Sequence, residues 1–197
     1  MYDWIIVPLV NPDGYEYSHT NDRMWRKNRG KSNTFLNIIS NCKGVDLNRN
    51  FGFNWGEVDV LSSQGGTPLP CLETFIGDAP FSELESQAVR NLVLQNKKKI
   101  VAYLSYHSFG QKILYPWSYT DTKVQDWQEL HHMANALAGE IYQNSYGQDY
   151  YKIGTAADIQ YSATGGSDDW ARGVAGIKWV YLIELPGKGH GFLLPPK

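Results

Sequence analysis

Cysteine is scarce in this 197-residue chain. Cys42 and Cys71 are the two present, too few for a disulfide scaffold and wrongly spaced for a zinc knuckle. Two readings stay open for them: one bridge closing a Gly-rich loop, or a pair of buried free thiols. An excess of one charge is also missing. The 18 Lys and Arg stand against 20 Asp and Glu for a net charge of −2, which gives no basic face for nucleic acid or an anionic membrane. No apolar stretch approaches the roughly 20 residues that cross a bilayer. The first apolar run, Trp4 to Val10, follows an acid, contains Pro8 and has no positive segment ahead of it, so it does not read as a secretory leader. Aromatic side chains are plentiful, with 13 Tyr and 7 Trp, which suits broad pockets as well as core packing. An apolar share of 42% with 19% charged residues describes one globular domain with a substantial core.

Taken in order, Trp4 to Val10 reads as a buried strand stopped by the turn signal Asn11-Pro12-Asp13-Gly14. Arg23, Arg26, Lys27 and Arg29 follow as a basic cluster around Trp25. Residues 32–80 show little periodicity and read as a long loop, a length that in a compact domain is usually functional or disordered. Ser82-Glu83-Leu84-Glu85 has the pattern of a capping box, with Leu84, Ala88, Val89, Leu92 and Val93 on one helical face behind it. Ile100 to Tyr106 is apolar on both faces, as a central strand covered by helices would be, and His107 follows it. A second helix is expected between Val124 and Tyr146. Ile177 to Ile183 is again strand-like, with Glu184 next in the chain. Strand, helix, strand in this order implies an α/β sheet with helices on its faces.

That order carries chemistry. Ligands of open α/β sheets bind outside the carboxyl ends of the strands, so parallel strands ahead of His107 and Glu184 would bring an imidazole and a carboxylate to one rim. Gly44-Val45-Asp46-Leu47-Asn48-Arg49-Asn50 is the other informative stretch. Packing does not account for an Arg between two Asn. A guanidinium fork with an amide donor beside it matches a carboxylate, so Asn48 and Arg49 are candidates for clamping the end of a peptide.

Nine segments together resemble one family, the zinc metallocarboxypeptidases of the pancreatic A/B type. They are Asn11-Pro12-Asp13-Gly14-Tyr15, Arg23 to Lys27, Gly44 to Asn50, Pro70 to Thr74, Ser105-Tyr106-His107-Ser108, Leu114-Tyr115-Pro116, Gly165 to Trp170, Ile183-Glu184-Leu185 and Gly191 to Pro195. They occur in the family's order and at nearly its spacing. The resemblance implies a mixed, largely parallel central sheet flanked by helices, α/β in class, with residues 1–197 forming one partial catalytic domain. It implies that His107 is a zinc ligand, Glu184 the general base and acid, and Arg26 the group that polarises the scissile carbonyl. Asn48, Arg49 and Tyr161 would grip the terminal carboxylate. Asp168 would line the floor of the side-chain pocket with Ser118 nearby, as in the B-like branch, which prefers C-terminal Lys or Arg. Asp168 could instead be an acid favoured at a helix N-terminus. The expected cofactor is one zinc ion in the complete protein, and the expected partners are peptide or protein C-termini. Nucleic acid and membrane are not expected partners, and the protein is expected to be a secreted monomer with a Cys42–Cys71 bridge.

The sequence also departs from the family pattern. The family draws two zinc ligands from a His-x-x-Glu segment, and none of His19, His107, His131, His132 and His190 has a Glu three residues on. Reversed pairs at Glu16 and His19 and at Glu129 and His132 match no ligand position and read as surface residues. After Glu184 the chain continues Leu185-Pro186-Gly187-Lys188-Gly189-His190, where the family has an Arg-Asp pair and one more residue. The expectation is therefore a chain incomplete at both ends, with little or no peptidase activity alone. The competing readings are a non-catalytic carboxylate-binding module and an unstable truncated product.

Overall fold

The computed structural model describes residues 2–31, 41–57 and 64–196. Asn11 accepts a hydrogen bond from Gly14 N and caps helix α1, Pro12–Thr20, so the segment expected to be only a turn begins a helix with proline in its first turn. A 3-10 turn, Leu47–Arg49, is capped by the Asp46 side chain accepting from Asn48 N. Helix α2 spans Leu84–Asn96 and strand β1 Ala102–Ser108. Strand β2 is Lys112–Tyr115, helix α3 Trp127–Asn144, and strand β3 Lys152–Thr155. Two short helices, α4 at Ala156–Ile159 and α5 at Ser167–Gly173, precede strand β4, Trp179–Leu185.

The four strands form one mixed sheet in the order β1-β4-β2-β3. β1 runs parallel to β4 and β2 parallel to β3, while β2 and β4 are antiparallel. The α/β class is as the sequence implies. One face packs Ile113, Tyr115, Tyr181 and Ile183 against Leu130 and Ala134 of α3. The other face is covered at one end by Val93 of α2 and by Trp170 and Ala171 of α5, packed on Val180 and Phe51. At its other end that face is open, and there it carries Leu114, Leu182, His107 and Glu184 along one wall of a groove.

Several expectations need correction. Trp4 to Val10 forms no strand and lies on the surface, with Trp4 and Ile6 each 75% exposed. An apolar run becomes a buried strand only where a neighbouring strand pairs with it, and among the described residues none pairs with this one. Among the described residues β1 is an edge strand rather than a central one, and Val101 and Tyr106 are exposed. His107 and Glu184 are the penultimate residues of β1 and β4 rather than the residues after them. The capping box does not form, because α2 starts at Leu84 with Glu83 as its N-cap and no side-chain bond there. Ser82 instead donates to Glu83 Oε1 and accepts from Asn50 Nδ2. Leu84 is exposed, so the buried stripe of α2 is narrower than its periodicity suggests.

Part of the long loop lies outside the described residues. The described part is held by the Cys42–Cys71 bridge, which closes a span of 29 residues. Such a closure contributes about 3–4 kcal/mol by restricting the unfolded chain. Asn50 secures the same region from inside: fully buried, it donates to Ile76 O, Ala79 O and Ser82 Oγ and accepts from Ser86 Oγ and Glu83 N.

Candidate active site

The parallel register of β1 on β4 sets His107 directly beside Glu184, and two side chains opposed in register share a face of the sheet. Glu184 is buried, and its Oε2 has no hydrogen-bond partner among the described residues. His107 is half-buried, with one ring nitrogen, Nε2, 2.8 Å from Ser105 Oγ. Burial pulls the His107 pKa down against the opposing pull of Glu184 and Asp168, which favours a neutral imidazole with Nδ1 turned from Ser105.

The 3-10 turn places Asn48 and Arg49 on the same groove. Arg49 is 3% exposed. Its guanidinium donates to Asn48 O at 2.9 Å and Gln64 O at 3.0 Å, and reaches Tyr161 Oη at 3.5 Å. Nε has no partner among the described residues. The carbonyls fix the guanidinium plane, and the Nε–H and one Nη1–H have no partner among the described residues. Asn48 Oδ1 accepts from Ser167 N, which leaves its amide N–H₂ to donate. Gly165 sits against this turn in a left-handed conformation, where a Cβ would lie 2.3 Å from Arg49 O.

Asp46 ties these donors together. Its carboxylate accepts from Arg26 Nε at 2.9 Å and from Asn48 N at 3.1 Å. Burial by itself would raise the Asp46 pKa, but Arg26 and Arg49 outweigh it and hold the carboxyl below its usual 3.8. The Arg26 pKa is raised in turn, first by Asp46, and Nε makes that bond while the side chain lines the groove. A carboxyl depressed in the folded state contributes stability above its unfolded pKa and loses it as pH falls through the folded value. Asp46→Asn should therefore cost about 2–3 kcal/mol at neutral pH, a buried-pair loss discounted for the partly exposed Arg26. The gap to wild type should close below pH 3.8, as urea melts from acid to neutral pH would show.

At the far end, Asp168 and Asp169 open α5. Ser118 Oγ donates to Asp168 Oδ2 at 2.9 Å. Asp169 accepts from the backbone N–H groups of Ser118 and Tyr119 at 2.9–3.0 Å, fixing the loop that aims the serine. Burial, then the Asp168 charge, push the Asp169 carboxyl well above its ordinary range. Asp168 lies in a first helical turn and also lines the groove. A Cβ at Gly166 would meet Asp168 Oδ1 at 2.6 Å, so glycine leaves room for the carboxylate.

One groove of about 230 Å³ is lined by Arg26, Asn48, Arg49, His107, Ser118, Tyr161, Asp168 and Glu184. All eight residues singled out from the sequence meet there. Asp46, Asp169 and Ser105, which position others, were missed. Asp46 was legible in principle, since Asp-x-Asn is the spacing of an acid bonding the backbone two residues on. The reversed pairs lie on the surface: Glu129 bonds Lys178, and His19 packs on Tyr15.

A sequence profile of the zinc carboxypeptidase family matches residues 1–197, and the chain belongs to that family. It is 40% identical over 194 residues to carboxypeptidase B of Astacus astacus, covering 98% of this chain and 60% of that protein. Against carboxypeptidase B of Rattus norvegicus the identity is 41% over 194 residues, covering 98% of this chain and 43% of the relative. Among solved structures, bovine thrombin-activatable fibrinolysis inhibitor in complex with tick carboxypeptidase inhibitor superposes with a TM-score of 0.83 at 39% identity, over 95% of this chain and 60% of that one. The chain thus spans about half the length of the relatives it matches.

The zinc ion that the family implies tests the donor set. A catalytic zinc needs three protein ligands and an open position. Among the described residues no group of three His, Cys, Asp or Glu is placed to hold a metal. His107 suits one ligand position, neutral and steadied through its other nitrogen. The donors present do not by themselves hold the ion.

Proposed function

We propose that residues 1–197 are the substrate-gripping part of a zinc-dependent exopeptidase that hydrolyses the C-terminal peptide bond, with preference for terminal Lys or Arg. The observation that carries this reading is the convergence on one groove of a buried arginine, a buried carboxylate with one oxygen unpartnered among the described residues, and a buried aspartate. The terminal carboxylate of a peptide meets Arg49, the Asn48 amide and Tyr161 Oη, a bidentate charge-assisted set. Its last side chain runs to Asp168, where a cation pairs with the carboxylate that Ser118 holds, much as an acidic pocket selects basic residues. Arg26 faces the scissile carbonyl and steadies the negative charge that develops on it. Glu184 takes a proton from the attacking water and returns it to the leaving amine.

One zinc ion per complete protein belongs to this reading, with His107 as one ligand and the others supplied from outside the described residues. Residues 1–197 alone are read as inactive. Secretion is supported by the bridge, which persists in oxidising compartments, and a monomer belongs to the same reading. No described helix is long and apolar enough to cross a membrane. The single imidazole favours a second reading, a module that binds C-terminal carboxylates without cleaving them. The complete protein separates the two. Release of C-terminal Lys or Arg from a blocked peptide, lost with a chelator, supports the exopeptidase. A complete sequence without His-x-x-Glu, together with no release, would leave the binding module.

A further inference from the structure

The row of residues that holds His107 and Glu184 continues across the sheet. β2 runs antiparallel to β4 with Lys112 directly opposite Glu184, so the lysine rises from the same face as the carboxylate, and the two Cβ atoms of such a pair are about 5 Å apart. Leu114, two residues on, confirms the facing, since it lines the groove with Leu182 while Ile113 and Ile183 point into the opposite core. Lys112 is half-buried, and its Nζ donates to Gln160 Oε1 at 3.0 Å. Gln160 lines the groove next to Tyr161. Among the described residues Lys112 is in no ion pair, and its one hydrogen-bond acceptor is a neutral amide. Its charge therefore reaches the groove through Gln160 with no direct ion pair to hold it. Next in the rung, across β3, stands another cation, Lys152.

We propose that Lys112, held by Gln160, is a specificity-determining residue that selects peptides with an acidic side chain next to the C-terminal residue and disfavours basic ones there. This rests on the reading of the groove as a peptide C-terminus site. The carbonyl that Glu184 serves belongs to the penultimate residue, so that residue's side chain starts beside Glu184. One wall it meets carries Phe109 and Phe192, packed ring to ring at 4.8 Å. The other carries Gln160, with the Lys112 ammonium bonded to it from behind. Attraction to an acid and repulsion of a base act on the same difference of affinities, which makes the selection larger than either effect alone.

The test is calorimetry on the complete protein stripped of metal, so that peptide is not consumed. The ligands are blocked dipeptide acids ending in Arg with Glu, Ala or Lys before it, each with its C-terminal amide as control. At low salt the Glu peptide should bind roughly five- to tenfold more tightly than the Lys peptide, and the gap should shrink at 0.5 M salt. Lys112→Gln should remove the gap, Lys112→Arg should restore it, and Gln160→Met should narrow it by freeing the lysine. A wild-type protein indifferent to the penultimate charge, or a preference that survives Lys112→Gln, would overturn the inference. Acids and amides binding equally would instead overturn the underlying reading of the groove.

Discussion

Glu184→Gln in the complete protein should lower the rate of C-terminal residue release by about 10²–10⁴-fold while leaving the affinity for peptide acids within a few-fold of wild type. The amide keeps the shape of the side chain and loses the proton affinity. In the structure the buried carboxylate has one oxygen without a partner among the described residues, a state that costs free energy unless something else is meant to meet it. On the proposed mechanism that something is the attacking water, which passes its proton to Glu184. Binding draws on Arg49, Asn48 and Tyr161 and should not depend on that proton. Single-turnover rates and equilibrium affinities separate the two effects. A large loss of affinity with little loss of rate would mark Glu184 as a structural or binding group.

Asp168 gives the second large effect. Asp168→Asn should weaken peptides ending in Arg or Lys by about 30–10³-fold, the cost of removing one partner of a buried charge pair. Peptides ending in Leu should be unaffected or improve, since the variant no longer buries an uncompensated charge against an apolar group. The preference between Arg and Leu therefore reports the pocket, and overall activity does not. Asp169 stands beside Asp168 but bonds the backbone of Ser118 and Tyr119, so Asp169→Asn should perturb stability and both substrates together. If Asp168→Asn lowered Arg and Leu peptides equally, the residue would be a helix-terminus acid and the basic preference would have another origin.

The site was more legible in the sequence than the fold around it. His107 beside Glu184 could be anticipated because each ends an apolar run, and parallel strands put such ends on one rim. Asn48 and Arg49 stood out because nothing about packing calls for them. Trp4 to Val10 misled for a related reason: hydrophobicity and β-propensity mark a strand-like segment, but pairing is a property of the neighbour, and this segment is exposed. Helix α1 was hidden because Asn-Pro-Asp serves both a turn and a helix start, and only the continuation from Tyr15 to Thr20 distinguishes them. Strands β2 and β3, at four residues each, are too short for an alternation to register. Lys112 was invisible for that reason, since its meaning comes wholly from the register against Glu184.

The central claim is that this groove recognises a free peptide C-terminus through Arg49. Calorimetry with a blocked peptide ending in Arg, as the acid and as the amide, on the complete metal-stripped protein and on Arg49→Lys tests it most directly. The acid should bind wild type about 10²-fold more tightly than the amide, as a bidentate charge-assisted contact implies, and Arg49→Lys should erase most of that difference. Equal affinity of wild type for acid and amide, or a difference untouched by Arg49→Lys, would contradict the account.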